Sequence, residues 1–208
     1  MISSVMTQES QTEMTTNEIL NDLLEGNRRF VKNSLNLRNL PAQVKATTSG
    51  QFPKAVILSC IDSRVPVELV FDQGIGDIFV ARVAGNVENE DVLGSIEYSV
   101  GVAGSKLIMV LGHESCGAVK SAVKKLDVGS ENVTFLLNQI EPAILSIAGE
   151  RDYKDKNYLA DVIKSNVKLT IEDIRKRSAI VRNLEAEGKI QIVGAYYNLH
   201  DGSVSLLE

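Results

Sequence analysis

Long apolar runs are missing from this sequence. The longest, such as residues 107–111, span a handful of positions. A membrane-spanning helix needs roughly 20, so no membrane segment is expected. The N-terminus has no basic stretch followed by an apolar core. Residues 1–16 contain acidic side chains but no arginine. Neither a secretory signal nor a transit peptide is expected. An excess of positive charge is also missing: 22 Lys and Arg face 27 Asp and Glu, a net charge of −5. That disfavours nucleic acid as a partner. The basic cluster Arg175, Lys176 and Arg177 reads as a solvated helix face. No phosphate-binding loop is present. Gly74-x-Gly76 lacks the third glycine of a dinucleotide fingerprint and reads as a turn. Cysteine is scarce, with only Cys60 and Cys116. Two cysteines do not by themselves separate a disulfide from a metal pair. The missing signal points to the cytoplasm, where disulfides are rare, and so to metal binding or catalysis.

What is present fits one domain with a real core: 208 residues, 44% hydrophobic and 24% charged. Residues 1–16 are rich in Ser, Thr, Gln and Glu and are expected to form a flexible arm. Residues 17–208 then make a single domain. Thr15 and Glu18 have capping-box spacing, and Ile19, Leu20, Leu23, Leu24 and Phe30 follow. This predicts a helix over 16–33. A short helix with loops is expected within 37–50. Four apolar runs, 55–59, 78–83, 107–111 and 190–197, read as buried parallel strands. Helical patterns cover 65–71, 91–102, a segment following Ser115, 132–148 and 157–186. In the last, Ile163, Val167, Ile171 and Ile174 form an apolar stripe suited to the core or a subunit contact. The turn signal Asp201-Gly202 reverses the chain toward a short strand at 204–207. Strands alternating with helices predict an α/β fold, a mostly parallel central sheet flanked by helices, with an N-terminal helical arm.

The chemistry-bearing residues sit at the carboxyl ends of these strands, where open α/β sheets bind ligands. Cys60 ends the first strand, His113 follows the third, and Cys116 opens the next helix. Two thiolates and an imidazole suit zinc by softness and by tetrahedral geometry, with a fourth position left for water or for a protein ligand. Asp62 is the candidate occupant of that position. Alternation along an extended segment places residues 60, 62 and 64 on one side, which brings Arg64 close to Asp62. His200 reads as an exposed loop residue beside the Asp201-Gly202 turn.

Two strings, Cys60-Ile61-Asp62-Ser63-Arg64 and Gly112-His113-Glu114-Ser115-Cys116-Gly117-Ala118-Val119, resemble the paired signature of the β-carbonic anhydrases. So do Glu25-Gly26-Asn27-Arg28-Arg29-Phe30, the run from Gly76 to Asn86, Ser95-Ile96-Glu97-Tyr98, and Ile192-Val193-Gly194-Ala195-Tyr196-Tyr197. The likeness runs from about residue 17 to 205. It implies reversible hydration of carbon dioxide to bicarbonate and a proton, at one zinc ion per chain. Cys60, His113 and Cys116 would hold the zinc. Asp62 would partner the zinc-bound water or act as a fourth ligand, and Arg64 would hold Asp62 off the metal. Gln51, nine residues before Cys60, would bond the substrate, and Phe79, Ala84 and Tyr98 would line the apolar substrate cleft. That cleft lies at a dimer interface in the family, which implies a homodimer or homotetramer. Two departures stand out. Ile61 replaces the family's usual small residue, and the chain has no Trp, which one family subset uses in a regulatory bicarbonate pocket.

Three other readings are compatible with parts of the pattern. Relatives of this fold hydrolyse carbonyl sulfide or carbon disulfide, which the metal ligands alone do not separate from hydration. A non-catalytic zinc protein with Asp62 locked onto the metal would have no use for Gln51. A thiol redox module is disfavoured because the spacing is not Cys-x-x-Cys and a histidine intervenes.

Overall fold

The computed structural model describes all 208 residues. Five strands form one sheet: β1 (Ala55–Ser59), β2 (Ile78–Arg82), β3 (Leu107–His113), β4 (Gln191–Tyr197) and β5 (Val204–Leu207). Their order is β2-β1-β3-β4-β5. The first four are parallel, and β5 returns antiparallel against β4. Ten helices accompany them: α1 (Gln8–Glu13), α2 (Thr16–Val31), α3 (Leu40–Ala46), α4 (Val67–Val70), α5 (Glu90–Gly101), α6 (Gly117–Val123), α7 (Glu131–Asn138), α8 (Glu141–Ser146), α9 (Lys156–Arg177) and α10 (Ala179–Ala186). No helix is long and apolar enough to cross a membrane.

Alternation along the strands divides the core into two faces. Ile57 and Met109 pack with Ile19, Leu23 and Phe71 on one side, beneath α2 and α4. Val56, Leu58, Ile108 and Val110 pack with Ile96, Val167 and Ile174 on the other, against α5 and α9. β1 and β3, fully buried in the middle, read as continuous apolar runs for this reason. From β1 the chain crosses to β2 on one side; from β2 it returns to β3 on the other side of β1. The sheet therefore has its switch point between the carboxyl ends of β1 and β3.

α2 starts at the expected capping box, with Thr15 and Glu18 each bonding the other's backbone. Asn27, buried on this helix, donates to the carbonyls of Val70 and Gly202 and accepts from the Val204 N–H. One side chain thus ties α2 to α4 and to the turn before β5. The stripe on α9 is core: Ile163 and Val167 press onto the sheet where Gly112 and Gly194 leave room, since a Cβ at Gly112 would lie 2.7 Å from Val167 Cγ2.

Three expectations change. Residues 1–16 do not form a flexible arm. Gln11 is buried and its amide donates to the carbonyls of Pro53 and Ala103, at 2.8 Å each. Ile2 pairs with the backbone of Leu37 and Asn39. Gln11 docks here because its amide meets loop carbonyls ahead of β1 and β3, which composition does not reveal. The helix expected over 132–148 is two helices, with Pro142 in the first turn of α8, where its missing N–H costs nothing. The one expected over 157–186 breaks at Ser178, whose hydroxyl caps α10 through the Val181 N–H and donates to Glu97.

In an exposed helix, glycine to alanine stabilises by up to about 1 kcal/mol. At Gly26, inside α2, the sign reverses, because a Cβ would overlap the Phe71 carbonyl oxygen. Gly26→Ala is expected to lower stability by roughly 1–3 kcal/mol, read as an earlier urea midpoint. A later midpoint would contradict this packing of α2.

Candidate metal centre

β1 and β3 are adjacent and in register, Ser59 beside Leu111, so each delivers its next residues to the same edge. Cys60 follows β1 directly. His113 is the last residue of β3, and its neighbour Glu114 bonds the Tyr197 carbonyl through its N–H. Ser115 takes a positive φ of 54°, which turns the chain sharply and sets Cys116 at the start of α6. The result is a buried group of Cys60, His113 and Cys116, whose ligand atoms all lie within 4.8 Å of one another.

Two of the three are held from behind. His113 Nδ1 lies 2.9 Å from the carbonyl oxygen of Glu114. A carbonyl only accepts, so Nδ1 carries the proton and the Nε2 lone pair is left free to ligate a metal together with the two sulfurs. The Gly85 N–H donates to Cys60 Sγ at 3.3 Å. It does so from a tight turn, Ala84–Asn86, in which Gly85 has φ 76°, a conformation that suits glycine. Asn166 of α9 holds this turn by donating to the Gly85 carbonyl. The sulfurs lie 3.9 Å apart and are free thiols. The Cys116 S–H lowers the Cys60 thiol, and the Gly85 N–H adds to this against the effect of burial. The same contact with Cys60, together with burial, pushes Cys116 up.

Asp62 and Arg64 sit at the rim. Arg64 grips the carboxylate side-on, Nε to Oδ1 at 2.9 Å and Nη2 to Oδ2 at 2.7 Å. Its backbone N–H adds a third bond. Arg64 holds the Asp62 carboxyl well below the usual range despite partial burial. Asp62 Oδ2 is 3.9 Å from His113 Nε2, so the carboxylate borders the ligand group while bound to Arg64. Arg64 also donates to the Ser115 carbonyl and so links the two ligand loops.

The carbonic anhydrase family model matches residues 55–204. Carbonic anhydrase 2 of Mycobacterium tuberculosis is 39% identical over 188 residues, 88% of this chain and 89% of its own length. The carbonic anhydrase of Mycolicibacterium smegmatis is 40% identical with the same coverage. The chain belongs to the β-carbonic anhydrase family. Its fold is shared by the Coccomyxa β-carbonic anhydrase solved with acetazolamide, at TM-score 0.72 and 23% identity, covering 90% of this chain and 86% of that one. It is also shared by a tetrameric β-carbonic anhydrase of Sordaria macrospora, at TM-score 0.70 and 22% identity, covering 80% and 86%.

The donors fit the zinc that this family requires. Two Zn–S bonds of about 2.3 Å at a tetrahedral angle set the sulfurs roughly 3.8 Å apart, close to the observed separation. His113 Nε2 is fully buried with no hydrogen-bond partner. A buried nitrogen left unpaired costs free energy that a metal bond removes.

The remaining expected site residues separate. Gln51, Phe79 and Tyr98 line a groove of about 600 Å³ between β2 and α5, which none of the metal-group residues lines. Ala84 is not part of that groove. It belongs to the turn that donates to Cys60. His200 is exposed, as expected. Two features escaped the sequence reading: the Gly85 N–H, a backbone donor without side-chain signature, and the side chain of Arg82, which lies across the Cys60 loop.

Metal-free protein is expected to take up about one cobalt(II) ion per chain, with the charge-transfer absorption of thiolate ligation. Cys116→Ser should weaken uptake by more than about 100-fold, because losing a ligand exceeds the 10–100-fold cost of losing an outer partner. Equal uptake by both proteins would place the metal elsewhere.

Proposed function

We propose that this chain catalyses the reversible hydration of carbon dioxide to bicarbonate and a proton, with one zinc ion per chain. The observation that carries the reading is the pairing at the rim. Three donors converge while the one carboxylate able to close their circle is bound side-on by Arg64. A structural zinc site has no reason to restrain its fourth ligand in this way.

Zinc held by Cys60, His113 and Cys116 would supply the Lewis acidity that brings water's pKa to roughly 7. The chain's own residues do the rest. Arg64 keeps the Asp62 carboxylate ionised and aimed beside the ligand group, where it can only accept hydrogen bonds and so selects a water that presents a proton to it. Buried Val87 and Val119 pack around Cys60 and Cys116 and keep the rear of the site dry. Two thiolates cancel the ion's charge, so an orienting acceptor is more important here than in a site of neutral imidazoles.

The substrate cleft is proposed to form between two copies of the chain. Gln51, Phe79 and Tyr98 would serve the metal group of a second copy, which fits their separation from the group in their own chain. β2 is a sheet edge that is only half buried, and Tyr98, Val102 and Ile180 are exposed nearby. A homodimer or homotetramer covers this edge. A site built on two free thiols also requires a compartment that keeps them reduced, which supports the cytoplasm.

Carbon dioxide hydration followed by stopped flow on zinc-loaded protein is the direct test. Fast turnover abolished in Cys60→Ser is expected. Inactivity at full zinc occupancy, with hydrolysis of carbonyl sulfide or carbon disulfide instead, would reassign the substrate. Arg64→Ala should fold, keep its zinc and lose nearly all activity. Near-normal turnover in that variant would remove the gating role. Mixing subunits carrying Cys60→Ser with subunits carrying Gln51→Ala and Phe79→Ala, after reversible dissociation, should restore activity neither possesses alone. Failure of well-mixed hybrids to recover would assign each site to one chain.

A further inference from the structure

Arg64 is not the only arginine on the loop that carries Cys60 and Asp62. Arg82 ends β2 and pairs in register with Ser59, the residue before Cys60. Its guanidinium lies across the loop. Nε donates to the Cys60 carbonyl at 2.9 Å and Nη2 to the Asp62 carbonyl at 2.6 Å. These are adjacent donors on one edge of a rigid plane, the same edge that Arg64 turns to the Asp62 carboxylate. Otherwise the loop is held by the Arg64 N–H on Asp62 Oδ1 and by the Arg64 guanidinium on the Ser115 carbonyl. Within it, the one main-chain bond is from the Val65 N–H to the Asp62 carbonyl.

We infer that Arg82 is a positioning residue, which clamps the backbone of Cys60 and Asp62 and thereby keeps the Asp62 carboxylate on Arg64 and away from the metal group. The inference rests on the proposed function and adds to it a restraint that Arg64 alone does not supply. Arg64 binds the carboxylate end and reaches the Ser115 carbonyl at 3.4 Å. It is itself largely exposed and carried two residues along on the same loop. Its one tie outside that loop is the long bond to Ser115, a weaker anchor than a strand in the sheet. Arg82 is fixed to the sheet, because β2 pairs with β1 along its whole length and the Val83 N–H continues the ladder to the Ser59 carbonyl. The distance to be guarded is short, since Asp62 Oδ2 is already 3.9 Å from His113 Nε2. A small turn of the residue 62 backbone would bring the carboxylate into competition for the metal. Lysine at position 82 would be a poor substitute, because a point-like ammonium cannot hold two carbonyls with a planar fork.

The test compares wild type, Arg82→Ala, Arg82→Lys and Arg82→Ala/Asp62→Ala, each loaded with cobalt(II) and titrated with azide while the visible absorption is followed. Thermal midpoint and metal content are recorded for all four. The zinc forms are assayed for carbon dioxide hydration. Arg82→Ala should keep one metal per chain, bind azide more weakly, and lose kcat by roughly 10–100-fold, the range for losing a partner that orients a metal site. Arg82→Lys should fall between it and wild type. Removing the competing carboxylate in the double variant should return azide affinity to that of wild type. A merely structural role would lower the thermal midpoint and leave azide affinity unchanged. That result, or a double variant as weak as Arg82→Ala, would overturn the inference. Absence of hydration by wild-type zinc protein would instead overturn the proposed function, and the cobalt titration would still decide the part played by Arg82.

Discussion

Everything at this centre depends on β1 and β3 lying side by side, parallel and in register, with their crossovers leaving in opposite directions. A parallel pair ends at one level, so the residues following Ser59 and those ending β3 emerge together. Both strands are buried on both faces, which fixes their ends as firmly as anything in the molecule. Cys60, His113 and Cys116 can then be brought within 4.8 Å of each other without a flexible loop having to find the geometry.

Around that fixed edge, the chain spends polar groups on holding rather than on binding. The Glu114 carbonyl sets the His113 tautomer, and the Gly85 N–H steadies the Cys60 sulfur. Asn166 steadies Gly85 in turn, from a helix pressed onto the sheet through Gly112 and Gly194. Two arginines manage the residue 60–64 loop from different sides, one at the Asp62 carboxylate and one at the backbone. Such layering lets a small candidate metal group be stiff while its rim remains open to solvent.

Much of this was legible before any coordinates. Burial on both faces makes β1 and β3 continuous apolar runs, so their limits stood out. Thr15 and Glu18 announced the start of α2, and Asp201-Gly202 the return to β5. Cys60, His113 and Cys116 were recognisable because their residue types have few other uses at strand ends. The misreadings share a cause. Composition marked residues 1–16 as an arm, but Gln11 meets two carbonyls at the end of the sheet that no local pattern reveals. Apolar periodicity continued through Pro142 and Ser178, and the helix breaks there depend on a proline in a first turn and a serine that caps the next helix.

Side-chain chemistry and short-range spacing are enough to give the alternation of strands and helices, the candidate metal group of Cys60, His113 and Cys116, and the contact between Asp62 and Arg64. The folded chain alone gathers Gln51, Phe79 and Tyr98 in a groove apart from the metal group and sets Ala84 in the turn behind Cys60. It also brings Arg82 across to the loop of Asp62. The reason is physical: those relations run between residues distant in the chain or through backbone groups common to every residue, and strand order and register alone bring them together.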